Sequence, residues 1–471
     1  MPDHRGGPPA AHARLRSTAV RPASLPVMPM DRSHDREIWR LAIPAFLALV
    51  AEPLFLMADS AIVGHLGTSQ LAGLGIAGAV LQTVVGLCVF LAYGTTAGVA
   101  RRIGAGDLRG AIAQGVDGLW LAVGIGVVVT VPGILLARPL SRALGAGDDV
   151  VGPATTYLRI ALLGVTPLLL MLAATGVLRG LQDTRTPMVV AIGGNVLNVV
   201  LNVTLVYGAG LGIAGSATGS VLAQLLAATA LVYVVARAAR REGASLRPDL
   251  PGIRSAARAG IALVIRTLTL RAALLATTYA VTHIAGDGSH EQAVDLATHQ
   301  IAFTLWSFLS FVLDAIAIAA QALTGRALGA GETTGTRAIT ARMVWWGVVV
   351  GVVVGVLLAG LSPFLGALFT GDGEVRDRLV PVLLIAALGQ PVAGVVFVLD
   401  GVLIGAGDGR YLAWGGLAVL VAYLPLVALA IVLGGGLVWV WVAFTFAFMG
   451  ARFAVLVRRA LGDRWLVTGA V

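Results

Sequence analysis

The stretch VWWGVVVGVVVGVLLAGL, Val344–Leu361, is an unbroken run without a charged side chain. A helix needs about 20 predominantly apolar residues to cross a hydrocarbon layer roughly 30 Å thick. Runs of this kind recur along all 471 residues, of which 58% are hydrophobic and only 12% charged, with a mean hydropathy of +0.90. Typical soluble proteins have about 25% charged residues. The composition therefore excludes a water-soluble globule and predicts an all-α, polytopic membrane protein.

Twelve apolar segments follow one another from Ile38 onward. They lie near residues 38–63, 71–98, 114–137, 154–178, 187–208, 213–236, 261–284, 293–323, 339–361, 379–404, 411–433 and 437–458. Residues 1–36 are rich in Pro, His and Arg and contain no apolar core, so we expect a disordered cytoplasmic tail. Met1, Met28 and Met30 are all possible starts.

The arginines predict how the segments are oriented. All 33 basic residues are Arg, and with a cytoplasmic N-terminus 25 of them fall on the inside. Only four fall outside: Arg138, Arg142, Arg376 and Arg378. By the positive-inside rule this asymmetry places both termini in the cytoplasm. We therefore expect a multi-pass protein of the plasma (inner) membrane.

An internal repeat organises the chain into two halves. A shift of 225 positions brings Arg101 and the Gly104–Asp107 turn onto Arg326 and Gly329–Glu332. This predicts two six-helix lobes, 37–236 and 259–460, joined by a basic cytoplasmic linker, 237–258, and followed by a cytoplasmic tail, 461–471. Because six is even, the lobes are parallel repeats about an axis along the membrane normal. They enclose a central cleft suited to alternating access.

Ionisable residues within the first lobe are candidates for function. A carboxylate at the bilayer centre costs at least about 2.5 kcal/mol and needs a partner, a proton or a water-filled cavity. Asp59 lies near the outer end of segment one, with Glu52 on nearly the same helical face. In segment five, Asn195, Asn198 and Asn202 form an amide stripe that could hydrogen-bond Asp59. A structural polar clamp is the alternative.

A second group lies in the other lobe. Arg271, Asp314 and Asp400 each fall roughly 15 to 18 Å from the cytoplasmic ends of their helices. Equal depth predicts that Arg271 contacts one or both carboxylates, either as a static salt bridge or as a network that exchanges a proton. Arg266 is expected to snorkel to the headgroups.

Other polar residues give weaker signals. Gln82, His299 and Gln300 could line the cleft or be satisfied core side chains. The Gly-Ala-Gly turns lack the Gly-Lys-Ser/Thr of a phosphate loop. No Cys/His spacing indicates a metal centre, and no catalytic set indicates a hydrolase. The sequence therefore favours a transporter over an enzyme.

Four motifs resemble the multidrug and toxic compound extrusion (MATE) family. They are ADSAIVGHL (Ala58–Leu66), the turn Gly104–Asp107, LRGLQDTRTP (Leu178–Pro187) and LDGVLIGA (Leu399–Ala406); the last, with Leu313-Asp314, points to its DinF-like branch. The resemblance implies a two-lobe exporter that exchanges a proton or sodium ion for an organic substrate. It also implies that Asp59 and Asp400 are cation-coupling residues, and Asp314 is a further candidate.

The chain departs from the family pattern in ways that bear on the coupling ion. Some DinF-like members have an aspartate where this chain has Asn202, and the sodium-coupled branch has a glutamate in segment seven that is missing here. Glu52 is an addition. The loss of carboxylates favours protons over sodium, which stays an alternative.

The expected function is export of amphipathic organic compounds by a protein that acts as a monomer in the lipid bilayer. A lipid-linked precursor flippase is the other alternative, but only Arg271 and Arg266 could hold its diphosphate. We expect no cofactor besides the coupling ion, no bound metal and no nucleic acid partner.

Overall fold

The computed structural model describes residues 33–284 and 290–470, and every regular element in these ranges is helical. The helices are α1 (Ser33–Gly64), α2 (Thr68–Cys88), α3 (Phe90–Gly104), α4 (Leu108–Ala143), α5 (Asp148–Leu162), α6 (Val165–Gly180), α7 (Arg185–Val203), α8 (Gly212–Arg241), α9 (Leu250–Ile284), α10 (His290–Gly329), α11 (Thr333–Phe369), α12 (Gly373–Gly405), α13 (Gly409–Val432), α14 (Gly436–Val442) and α15 (Met449–Leu461). Two π-helical segments, Thr204–Gly208 and Ala443–Phe448, continue α7 and join α14 to α15.

These helices confirm the predicted number of spans. Eleven continuous stretches in the described ranges are long and apolar enough to cross a membrane. The bent pair α5 and α6, which meet at 47°, forms a twelfth. The molecule is a multi-pass membrane protein.

Each half of the chain has its own apolar core. In the first half, α1–α8, side chains such as Leu158, Leu169 and Val177 pack together. In the second half, α9–α15, the core surrounds α12, whose residues are buried on nearly every side. Two main cores correspond to the two predicted lobes, although the second also includes Ile38, Leu41 and Ala42 from the start of α1.

The segment boundaries differ from those predicted. Helix α1 begins at Ser33, so residues 33–36 are helical, and the rest of the predicted tail, with Met28 and Met30, lies outside the described residues. The linker is shortened to residues 242–249 because α8 and α9 extend beyond their apolar segments. Residues 461–470 are not a free tail, since Trp465 is 1% exposed. Apolar runs mark the hydrocarbon layer, whereas helices continue past it.

The lobes meet at the end of the molecule where α3 and α10 finish, which we call the basic end because Arg101 and Arg326 lie there. Gly104 and Gly329 face each other's helix so closely that a Cβ at either would overlap the Arg326 or Arg101 carbonyl.

Burial along α10 shows how far this contact extends. Almost every residue from Leu313 to Gly329 is buried, but only one face is buried before Leu313. The lobes therefore pack together at the basic end, whereas the distal part of α10 is covered on one face only.

Candidate functional site

Asp59 lies in the first lobe, on the distal part of α1, and is 3% exposed. Three side chains from three other helices donate hydrogen bonds to it. Asn202 Nδ2 on α7 is 2.8 Å from Oδ1, and the Ser216 hydroxyl on α8 also donates to Oδ1. The Tyr157 hydroxyl on α5 lies 3.2 Å from Oδ2. Asp59 is thus a buried carboxylate held by neutral donors, with no basic residue in an ion pair with it among the described residues.

The predicted amide stripe divides among three partners. Asn202 contacts Asp59 as expected, but Asn198 Nδ2 instead donates to Ser220 Oγ at 3.0 Å. Asn195 Nδ2 donates to the Ala51 carbonyl of α1 at 2.6 Å. The three amides lie on one face of α7, but Asn195 and Asn202 are seven residues apart, or about 10 Å along the helix, which is too far for all three to reach one carboxylate. Asn195 braces α1 close to Pro53, where the helix lacks a backbone donor.

Two amide oxygens beside Asp59 have no partner. Oδ1 of Asn198 and Oδ1 of Asn202 are both buried and accept no hydrogen bond from the described residues. Unpaired buried acceptors are rare in native proteins and call for an explanation. Each can accept a hydrogen bond or coordinate a cation.

Glu52 does not join this site. Its side chain is exposed, and it forms no hydrogen bond or ion pair within the described ranges. Seven residues separate it from Asp59, or about 10 Å of helix. The two carboxylates therefore belong to different surroundings.

In the second lobe, Asp400 on α12 lies between two arginines. Arg266 of α9 forms an ion pair with Asp400 Oδ2, and Arg452 Nη2 of α15 lies 3.5 Å from the same oxygen. Arg266 is not snorkelling to the headgroups: its side chain is only 13% exposed and its guanidinium lies 5.9 Å from the centre of the Tyr93 ring. Arg266 differs from the prediction because it projects from the inward face of α9, toward α12.

The predicted pairing of Arg271 with Asp314 or Asp400 is wrong. Arg271 is exposed and forms no ion pair within 4 Å in the part of the chain described. Its guanidinium instead lies beside Gly86 of α2, where a Cβ would be 2.6 Å from Nη2. Five residues from Arg266, Arg271 projects from a different face of α9. Equal depth in the membrane therefore did not mean that the Arg271 side chain points toward the two carboxylates.

Asp314 on α10 lies where the lobes converge. It is partly buried and makes no hydrogen bond or ion pair with a described residue. Arg179 of α6 and Arg266 of α9 are the cations that act on it electrostatically. Asp314 is therefore close to charges of both lobes but in direct contact with none.

The three predicted cleft residues separate into two groups. Gln82 and Gln300 are exposed. His299 is 3% exposed and lies in the second-lobe core, where Nε2 is 3.2 Å from Thr278 Oγ1 and the ring packs near Trp441. His299 is therefore a core side chain rather than a cleft residue, but it is only partly satisfied, because its Nδ1 is buried without a hydrogen-bond partner among the described residues.

Sequence reasoning missed four site residues: Tyr157, Ser216, Ser220 and Arg452. Serine in an apolar helix gives no signal, because its hydroxyl can also bond the helix's own carbonyls. Tyrosine gives none either, because it is common near the ends of membrane helices. Arg452 did carry a signal, since an arginine within an apolar segment needs a partner. No cluster of three or more His, Cys, Asp or Glu able to hold a metal ion occurs among the described residues.

Comparison with known proteins gives consistent matches. Residues 44–204 and 272–429 match the MatE family model. The chain is 32% identical over 432 residues to Protein DETOXIFICATION 44, chloroplastic, of Arabidopsis thaliana, covering 88% of this chain and 80% of that protein. It is 27% identical over 434 residues to DNA damage-inducible protein F of Escherichia coli, covering 91% and 93%. A crystal structure of MATE in the straight conformation superposes with a TM-score of 0.81 at 22% identity, over 90% of this chain and 96% of that one.

Proposed function

This chain belongs to the MATE family of multidrug and toxic compound efflux transporters, which are not enzymes, and from that premise we propose that it exports amphipathic organic compounds in exchange for protons. The exchange would use alternating access, with the two lobes opening the cleft to one side of the membrane at a time. The coupling proton would bind at Asp59.

The observation that carries this proposal is the setting of Asp59. A carboxylate 3% exposed in a membrane protein is costly when charged. Its hydrogen bonds come from neutral groups, so a proton can neutralise Asp59 without leaving another buried charge unpaired. Rotation of the Asn202 amide would then offer its free Oδ1 to the new Asp59 hydroxyl. The same side chains therefore suit both protonation states.

Sodium coupling is the competing proposal, and one observation favours it. The free Oδ1 atoms of Asn198 and Asn202 and the Asp59 carboxylate are oxygen ligands of the kind that hard cations prefer. Against sodium stands the single negative charge of this group. We therefore retain the proton as the coupling ion.

The two coupling ions can be separated in proteoliposomes that contain the full chain. Efflux of a fluorescent organic dye is measured under a proton gradient alone and a sodium gradient alone. We expect transport only with the proton gradient, and transport driven only by sodium would overturn the proposal. Asp59→Asn should abolish gradient-driven efflux while leaving dye binding intact. Asp117→Asn removes another buried carboxylate, which accepts from the Asp249 amide near the linker, and should preserve transport.

The same proposal includes an orientation. The arginine distribution supports a cytoplasmic basic end and cytoplasmic termini. The lobes pack together at that end, so the conformation described would have its cleft open to the outside. Asp59, toward the distal end of α1, would then be accessible to external protons. This arrangement suits the step in which substrate leaves and a proton enters.

A further inference from the structure

Two cavities lie side by side at the basic end of the first lobe. The first, of about 480 Å³, lies between the start of α4 and the last turns of α8. The second, of about 460 Å³, is lined by α8 alone and shares Tyr233, Arg237 and Arg241 with the first. Neither cavity includes a residue that contacts Asp59 or Asp400, so a ligand held here would be separate from those two sites.

The walls of these cavities carry an excess of positive charge. Arg237, Arg240 and Arg241 line one or both cavities, and Glu242 is the carboxylate that lies with them. All three arginines are exposed, and none of them forms a hydrogen bond or an ion pair with a described residue. The carbonyl end of α8 offsets part of their charge. Three guanidiniums beside one carboxylate nevertheless suit the cavities to a negatively charged group.

In the second lobe, an arginine near the end of the last helix is paired within the protein. Arg459 Nε of α15 donates to Asp408 Oδ2 at 2.6 Å, and its guanidinium lies 4.7 Å from the centre of the Tyr411 ring. Asp183 is the repeat equivalent of Asp408, 225 positions earlier. It accepts from the amide and the hydroxyl of Thr186 at the start of α7 instead. The arginines of α8 therefore lack the acceptor that the repeat supplies in the other lobe.

The cavities lie where α8 leaves the hydrocarbon layer. This helix can span the membrane from Gly212 onward. At 1.5 Å per residue Tyr233 comes about 32 Å further along, which matches a hydrocarbon layer roughly 30 Å thick. Tyrosine is enriched at the boundary between hydrocarbon and headgroups. Arg237 and Arg241, one and two turns beyond Tyr233, therefore lie at the depth of the lipid headgroups.

An apolar stripe leads along α8 to these arginines. Leu222, Leu226 and Tyr233 are all exposed, and spacings of four and seven residues keep them on one face of the helix. Arg237 and Arg241 continue the same face at further steps of four residues. Acyl chains can lie along this stripe while a headgroup contacts the guanidiniums at its end.

We propose that the two cavities bind the headgroup of an anionic phospholipid, with its phosphate between Arg237 and Arg241 and its acyl chains along the apolar stripe. Arg240 supplies a third guanidinium in the second cavity. Guanidinium suits this ligand because its planar fork of donors matches two phosphate oxygens. Basic clusters directly beyond a membrane helix are typical of sites for anionic lipids.

The opposite wall of the first cavity favours a lipid over a soluble anion. Leu108 and Ile112 of α4 form this wall with the neighbouring Leu181. Apolar side chains contribute nothing to binding a small hydrated anion, whereas they can pack against the glycerol and upper acyl carbons of a lipid. The proposal requires that the chain lies in a membrane, and it does not depend on the export function proposed above.

Native mass spectrometry of the purified full chain in detergent tests the site, because it resolves each lipid that stays bound. The probes are phosphatidylglycerol, which is anionic, and phosphatidylcholine, which is zwitterionic. We expect the first phosphatidylglycerol to bind at least tenfold more tightly than phosphatidylcholine. The double variant Arg237→Gln/Arg241→Gln should weaken that binding at least tenfold and change the affinity for phosphatidylcholine less than twofold.

A second pair of arginines provides the matched control. Arg254→Gln/Arg258→Gln removes two exposed arginines with the same four-residue spacing near the start of α9, and neither residue lines either cavity. This variant should change the affinity for phosphatidylglycerol less than twofold. Arg237→Lys/Arg241→Lys keeps the charge without the planar fork and should retain part of the affinity, which also reports a folded protein.

Three outcomes would overturn the site. They are an equal loss of affinity in the control pair and the cavity pair, no loss in the cavity pair, and equal affinity of the unaltered protein for both lipids. Displacement of phosphatidylglycerol by inorganic phosphate would assign the cavities to a soluble anion instead. Lipid binding is measured without substrate or an ion gradient, so failure of the proposed proton-coupled export would not change this result.

Discussion

At the scale of single residues, Asp59 and Asp400 show how surroundings assign different tasks to two buried carboxylates. Neutral hydroxyl and amide groups surround Asp59, so its charge can be gained or lost without another buried ion being stranded. Two guanidiniums surround Asp400, and a proton there would leave both uncompensated. We therefore propose that coupling depends on Asp59, and that Asp400 fixes the geometry of the second lobe.

This assignment makes Asp400→Asn a stability variant. Removing one partner of a buried ion pair costs about 3 to 5 kcal/mol, because the remaining charge stays buried. We expect a clear fall in the thermal unfolding midpoint of the purified protein. Adding Arg452→Met should recover part of the loss by removing one stranded charge. Asp463→Asn breaks an exposed pair with Arg337 and should cost about 1 kcal/mol or less; an equally small effect at Asp400 would contradict its structural role.

The strained backbone of Gln182 is explained by a contact between the lobes. Gln182 is the only described residue besides glycine with a positive φ, at 62°. Its repeat equivalent, 225 positions later, is Gly407, with φ 74°. Glycine adopts this conformation without the cost that a Cβ brings. Gln182 offsets the cost because its Oε1 accepts a hydrogen bond from Arg326 of the other lobe at 2.8 Å.

At the scale of elements, α3 and α10 control how closely the lobes approach. Their last turns carry Gly104 and Gly329, each against the backbone of the opposite helix. Side chains at these positions would force the two helices apart. Gly104 and Gly329 are also the first residues of the two Gly-Ala-Gly turns. These turns therefore both reverse the chain and let the helix ends meet.

Gly104→Val should prevent the lobes from packing at the basic end. The added side chain overlaps the Arg326 carbonyl, which cannot shift without moving α10. We expect loss of transport together with greater labelling of cysteines placed at this end, in a Cys88→Ala background. Gly124→Val on α4 is the matched control, because nothing lies within 4 Å of its Cβ position. Unchanged labelling in Gly104→Val would show that the contact is not needed for closure.

At the scale of the whole molecule, the two repeat-related arginines, Arg101 and Arg326, each form hydrogen bonds with the opposite lobe at the basic end. Arg101 of the first lobe donates to the Ala406 carbonyl of the second at 2.7 Å. Arg326 of the second lobe donates to Gln182 and Glu37 of the first. The pseudo-symmetry of the fold thus places equivalent residues on both sides of one interface, each reaching into the opposite lobe.

The C-terminal segment, residues 462–470, adds to the contacts that Arg101 makes between the lobes. Arg101 also donates to the Val467 and Gly469 carbonyls, and the Gly469 amide donates to the Leu328 carbonyl at 3.0 Å. Trp465 anchors the segment in the second-lobe core. The end of the chain thereby connects both lobes.

Deleting residues 463–471 should loosen the basic end and shift the molecule toward the conformation that is open there. Spin labels at Asp149→Cys and Gly371→Cys, both exposed near the distal ends of the lobes, would report the shift as a shorter distance in the Cys88→Ala protein. Arg464→Gln leaves the segment in place and should not alter the distance. An unchanged distance after the deletion would show that the segment does not hold the lobes.

The N-terminal residues should behave differently. Residues 2–30 contain no continuous apolar run with which to pack, so their deletion should preserve membrane insertion and efflux, measured in cells and in proteoliposomes. Loss of either property would assign a role to this part of the chain. Its natural comparison is the C-terminal deletion, because Trp465 gives that segment a buried anchor.

Local composition determined the helices and their number, and the similarity between the two halves of the sequence determined the two-lobe repeat. A hydrocarbon layer requires apolar runs of a fixed length, so periodicity and hydropathy carry that information directly. The same cost of burying charge singled out Asp59, Asp314 and Asp400. The spans and the charged residues within them depend on each segment's own residues.

Only the tertiary structure decided which side chains meet. Depth along a helix can be counted, but the direction of a side chain depends on the rotation of that helix against its neighbours, and five residues separate the different directions of Arg266 and Arg271. The partners of Asp59 come from α5, α7 and α8, and hydroxyl groups leave no mark in an apolar sequence. Helix rotation is set by packing over the whole lobe, so no local pattern could have assigned Asp400 to Arg266 and Arg452.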